Sequence, residues 1–186
     1  AYSFVGVIGI QLSKLMAIGK EEFSDGKQRK YIQKCMTIIK RSLDLVNFAL
    51  LSKLWDLQKA KSLTLAEAHK TTLSQFFDRN FEQSIEEQLQ FLQALYALFQ
   101  EHQLELPFAE FDLNAAKEPL QQISQEVQHL TEVLDRGQYS LLDCFAAETQ
   151  LAEFFKHFAF LVKYKMASIK RIGYKQMRHV DPRYLH

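Results

Sequence analysis

The sequence predicts an all-α protein: an antiparallel bundle of about five or six helices with one long, central, buried helix. Three observations predict it. Apolar residues recur at steps of three and four through most of the chain. Six glycines and three prolines in 186 residues are few for a protein of many short strands and turns. Capping residues, periodic faces and helix stops also coincide at successive boundaries.

The stretch from Ser140 to Arg171 is the one expected at the centre. Leu151, Phe155, Phe158, Val162, Met166 and Ile169 form one apolar row, and Ala147, Phe154 and Leu161 form a second. The five residues Phe158 to Val162 are all apolar. A helix that is apolar nearly all round is usually buried. Ser140 and Asp143 open it, with the acid well placed for the helix dipole.

The remaining elements follow in chain order. Phe4, Ile8, Leu12, Leu15 and Ile18 suggest a first helix, weakened by Gly6 and Gly9 and stopped at Gly19. The charged segment Lys20 to Lys30, with Gly26, reads as a loop. Ile32, Met36, Ile39, Leu43, Val46, Leu50, Leu54 and Leu57 then mark the longest helix, which spans roughly 45 Å at 1.5 Å per residue. Trp55 near its end is expected against a loop or a neighbour. Thr64 to Glu67 has the form of a capping box, with a short helix to about Phe77. Ser84 to Glu87 repeats that form, although Asn80 serves equally as the expected cap. Ile85, Leu89, Leu92, Tyr96 and Phe99 carry the next face to about His102, and Pro107 ends it. Asn114 is expected to begin a helix whose face is Leu120, Ile123, Val127, Leu130 and Leu134. Pro119 is expected near its first turn, and Gly137 caps it. Residues 1–172 read as one bundle domain. Residues 173–186 read as a basic arm or the start of a further segment.

Charge is uneven along a chain of net charge +1. Residues 1–81 hold 13 Lys and Arg against 7 Asp and Glu; residues 82–153 hold 2 against 14; residues 154–186 hold 8 against 1. The simplest expectation is that the acidic middle packs beside the basic ends. The other is that each segment meets a charged partner. Cys35 and Cys144 lie in helical patterns beside apolar residues, so both are expected as reduced, buried thiols in a reducing, cytoplasmic setting. The run AYSFVGVIGIQL is too short to span a bilayer and lacks the basic start of a signal peptide. The chain begins without Met and ends on a polar, aromatic tail, so a longer protein is expected.

No catalytic signature emerges. There is no G-x-S-x-G, no phosphate-binding glycine loop and no Cys/His cluster. Glu153 and His157 stand four apart, with Glu148 out of line, too little for a bundle metal site. No cofactor, metal or small-molecule substrate is therefore expected. The expected function is a non-enzymatic helical protein-interaction or regulatory module within a larger assembly, binding a protein partner or a second copy. Its candidate surface is the acidic set Glu82, Glu86, Glu87, Glu101 and Glu105, with Glu110 and Asp112 nearby, because charge of one sign steers a partner of the other. The alternative is nucleic-acid binding by Lys163, Lys165, Lys170, Arg171, Tyr174, Lys175, Arg178 and Arg183. There cations would neutralise phosphates and tyrosine rings would stack on bases.

Overall fold

The computed structural model describes Phe4 and residues 6–20, 24–60, 63–77, 83–164, 173–175 and 183–185. Six α-helices occur among them: α1 (Gly6–Ile18), α2 (Asp25–Lys59), α3 (Glu67–Phe77), α4 (Ile85–Glu101), α5 (Leu113–Arg136) and α6 (Leu141–Phe158). A 3-10 turn, Ala159–Lys163, extends α6. Two three-residue strands, β1 (Gly173–Lys175) and β2 (Arg183–Leu185), pair antiparallel. The chain is an all-α helical bundle.

The helix on which the others assemble is α2, not the Ser140 helix. At 35 residues it is about 52 Å long. It packs against α1, α4 and α6 and touches α5. Its buried positions, among them Ile32, Ile39, Leu43, Val46, Leu50 and Leu54, are the periodic row of the sequence. Tyr31, Cys35, Ile38 and Leu51 widen that row enough to serve several neighbours. The helix also begins earlier than the charged segment Lys20 to Lys30 suggests. Lys27 and Gln28 donate their backbone N–H groups to the Ser24 carbonyl, which places Gly26 inside the first turn.

The expected helix from Ser140 to Arg171 is shorter. Regular α-geometry stops at Phe158, and Met166 and Ile169 lie outside the described residues. Packing explains the change. Phe160 contacts Phe108, Phe111 and Tyr164, with ring centroids 5.1, 5.5 and 6.2 Å apart. Tightening to a 3-10 turn buries Phe160 and Leu161 and leaves Val162 38 % exposed. Within α6, Phe154 and Phe158 stack at 4.2 Å and are fully buried. Near its start Leu142 and Phe145 are exposed, so its apolar circumference is not sealed all round.

Caps follow local chemistry. The Ser84 hydroxyl accepts from the Glu87 N–H at 3.1 Å, and Glu87 accepts from the Ser84 N–H at 2.8 Å, the reciprocal box the sequence predicts. At α6 the Asp143 carboxylate accepts from both the N–H and the hydroxyl of Ser140 at 2.7 Å. The cap of α5 is Asp112, which accepts from the N–H groups of Asn114 and Ala115. Thr64 caps nothing, because α3 begins at Glu67. Leu63 and Leu65 are both buried, and that alternation holds residues 63–66 out of the helix. Pro119 lies in the second turn of α5, where it removes the N–H that would bond to residue 115.

Two helices end in the same way. After α5, Gly137 takes φ 67°, and Gly137 and Gln138 donate to the carbonyls of Leu134 and Val133. After α4, four residues before Pro107, Gln103 takes φ 51°, and Gln103 and Leu104 donate to Gln100 and Phe99. Both are Schellman closures, but only Gly137 suits the left-handed position without strain.

Cys35 and Cys144 are free and buried, as expected. Burial, with Glu148 and Cys144 nearby, pushes the Cys35 thiol up to about 12. Burial also raises Cys144, whose Sγ lies 3.7 Å from the Gln28 carbonyl.

Two outcomes follow from these observations. Gln103→Gly should raise stability by about 1 kcal/mol by relieving the left-handed backbone, and Gly26→Ala by about 0.5–1 kcal/mol, since a Cβ at Gly26 meets nothing within 4 Å. Urea midpoints with unchanged slope check both. An aromatic disulfide reagent at pH 8 should label neither cysteine in the folded protein and both in denaturant, because the thiolate is the reactive form. Rapid labelling of the native chain would contradict the buried placement.

Candidate functional site

The acidic candidates do not form one patch. Glu86 and Glu87 begin α4, whereas Glu101 ends it, roughly 22 Å away at 1.5 Å per residue. Glu105 follows in the connection to α5, and Glu82 lies outside the described residues. Several acids already have local tasks. Glu87 caps α4 and Asp112 caps α5. Glu110 accepts from Lys163 at 2.7 Å and from the Tyr164 hydroxyl at 3.2 Å. The hydrogen bond from Lys163 holds the Glu110 carboxyl below its usual range. Glu86 lines an open groove between α2, α4 and α5, opposite Arg29 and Lys40, with Glu132 and Asp135 on the α5 side.

The basic candidates divide too. Lys163 is committed to Glu110, so one member of the basic stretch meets one member of the acidic middle within the chain. Lys165, Lys170, Arg171 and Arg178 lie outside the described residues. Tyr174 and Lys175 are in β1, and Arg183 is in β2. The register makes Tyr174 the Cα partner of Tyr184, and Lys175 that of Arg183.

The pair Glu153 and His157 gains no third ligand among the described residues, and Glu153 accepts from Lys156. A different group assembles instead. His69, in the first turn of α3, meets Glu101 and His102 at the end of α4. His69 Nε2 lies 3.5 Å from Glu101 Oε2, and the two imidazoles sit edge to face with centroids 6.3 Å apart. One ligand atom from each residue falls within 4.8 Å of the others. His69 Nδ1 and His102 Nε2 are buried with no hydrogen-bond partner among the described residues. Sequence reasoning missed this group because 31 residues separate His69 from Glu101. The adjacent Glu101 and His102 were the available signal. On a continuing helix such neighbours diverge.

The outer surface of α1 carries apolar side chains. Val7, Ile10 and Met16 are exposed. Gly6, Gly9, Ser13 and Ala17 line a shallow apolar groove beside Ile10, with Phe4 at one end.

The caps separate two neighbouring acids experimentally. Glu87→Ala should lower stability by about 1 kcal/mol through loss of the box, and Glu86→Ala by no more than about half of that. Denaturant titration of the two variants checks the difference, and equal losses would contradict the assigned capping.

Neither a protein-family model, nor a curated protein, nor a solved structure shows significant similarity to this chain.

Proposed function

We propose that the chain is a non-enzymatic helical interaction or regulatory module that works within a larger assembly. One observation carries this reading: α1 has no polar face, yet it packs in the bundle along one side. Its only charged residue is Lys14. A helix of that composition is normally enclosed. Here Ile10 and Met16 are 56 and 57 % exposed, a pattern that marks contact with another apolar surface. Ser13 and Ala17, four apart and exposed, offer small side chains to an apolar partner helix, a mode of recognition that reuses helix-packing geometry. Glu86, Glu101 and Glu105 would then steer a basic partner toward the bundle without forming the contact itself. No helix among the described residues is long and apolar enough to cross a membrane.

A second reading, nucleic-acid binding by the C-terminal stretch, draws on the strand register. It makes partners of two tyrosines, Tyr174 and Tyr184, and beside them of two cations, Lys175 and Arg183. Stacking bases and phosphate contacts require that composition.

One pair of measurements separates the two readings. Affinity capture from the source organism is made with the wild-type chain, Ile10→Glu and Glu86→Lys, each first checked for helix content. We expect a polypeptide retained by the wild type, lost with Ile10→Glu, and held more weakly by Glu86→Lys at low salt. Single-stranded RNA, followed by fluorescence anisotropy, is expected not to bind at about 50 mM salt. Binding of RNA there that collapses at about 200 mM, with no polypeptide captured, would overturn the first reading in favour of the second.

A further inference from the structure

The strongest unassigned chemistry in the molecule is the group His69, Glu101 and His102. We propose that these three residues form a site for one Zn2+ ion, with solvent at the fourth position. Two imidazoles and one carboxylate are an established type of zinc donor set that leaves one position open. The geometry accommodates it. Ligand atoms about 2.1 Å from a tetrahedral ion stand roughly 3.4 Å from one another. His69 Nε2 and Glu101 Oε2 are 3.5 Å apart. One ligand atom from each of the three residues lies within 4.8 Å of the others, a spread that narrows to about 3.4 Å when an ion is held.

Two further observations point to a ligand rather than to a chance cluster. Buried polar atoms are ordinarily hydrogen-bonded, yet His102 Nε2 is buried with no partner among the described residues, while His69 Nδ1 carries the ring N–H when Nε2 faces the ion. A neutral imidazole presents one nitrogen lone pair, and a cation uses it. The exposure is graded as an entry path requires. The Glu101 side chain is 58 % exposed and that of His69 28 %, so an ion enters from solvent past the carboxylate and meets the rings behind it. The carboxylate offsets one of the two charges of the ion.

The placement has a structural consequence. Of the six helices, α3 is the one that lies closely along no other among the described residues. Its anchors are Leu63, Leu65 and Leu73. His69 sits in its first turn, and Glu101 and His102 end α4, where the chain leaves helical geometry. An ion held there clips α3 to the end of α4. Because the ligands must be deprotonated and properly placed, binding is linked to folding of that part of the bundle.

The test is a calorimetric titration of the whole metal-free chain with ZnCl2 at pH 7.5, with the thermal midpoint measured in parallel. We expect one ion per chain and a rise of the midpoint on addition of Zn2+. His69→Ala and His102→Ala should each weaken binding at least tenfold and abolish the thermal shift. Substituting Co2+ should yield visible absorption of a four-coordinate site that Zn2+ displaces. If either alanine variant fails to fold without metal, Glu101→Gln decides the point. It changes a largely exposed side chain and should also reduce affinity at least tenfold. Absence of Zn2+ binding by the wild-type chain would overturn the proposal. So would wild-type affinity in all three variants, because the ion would then sit elsewhere, as at His129 or His157.

Discussion

The long apolar face of α2 is the constraint on which the bundle depends. A helix about 52 Å long that buries residues on more than one stripe cannot be satisfied by a single partner. It takes α1, α4 and α6 together. The buried residues on it are mostly β-branched or leucine, so the contact is close-packed and its volume matters. Polar groups set the register of that packing. Asn47 donates to the Gln88 carbonyl at 3.1 Å, and Gln88 donates to Asp44 at 2.5 Å. Both Asn47 and Gln88 are almost fully buried. Shifting α4 along α2 would leave these groups unpaired, which costs more than the bonds themselves contribute. Asp44 carries part of the cost already: burial raises its carboxyl, against the opposing pull of Arg41, Gln88 and Lys40.

At one end of the bundle aromatic rings replace aliphatic side chains. Phe108 and Phe111, in the connection between α4 and α5, pack on Phe158 and Phe160, and Tyr96 meets Phe111 edge to face. This cluster couples a loop to the end of α6 and diverts the chain there into a 3-10 turn. Just beyond, Lys163 and Tyr164 both bond to Glu110. The pair is exposed, so its energetic worth is small. Its importance is positional, since it ties the end of the 3-10 turn to the connection between α4 and α5.

The segregated charge of the sequence has several physical origins. Glu87, Asp112 and Asp143 are acidic because helix N-termini favour acceptors and negative charge. Glu110 accepts from Lys163 and Tyr164. Of the candidate surface acids, those left among the described residues after these tasks are Glu86, Glu101 and Glu105, spread over both ends of α4. The proposed interaction role therefore rests more on the apolar side chains of α1 exposed among the described residues than on a continuous acidic face. Glu101 in addition faces two histidines, an arrangement that charge counting along the chain does not disclose.

Sequence alone determined the helical class, four of the periodic faces and the caps at Ser84 and Gly137, because each depends on residues within a turn or two of one another. It also determined the buried thiols, whose neighbours in a helix are apolar. Tertiary structure decided the rest. That α2 and not the Ser140 helix is the hub depends on how many neighbours each face meets, and periodicity does not count neighbours. The early stop of α6 depends on Phe108 and Phe111, some fifty residues away. The failure of Thr64 as a cap depends on burial of both Leu63 and Leu65 in the core. The His69, Glu101 and His102 group forms only when the start of α3 reaches the end of α4. None of these was legible beforehand, since local chemistry is written at spacings of one to four residues, whereas contacts between helices carry no fixed spacing at all.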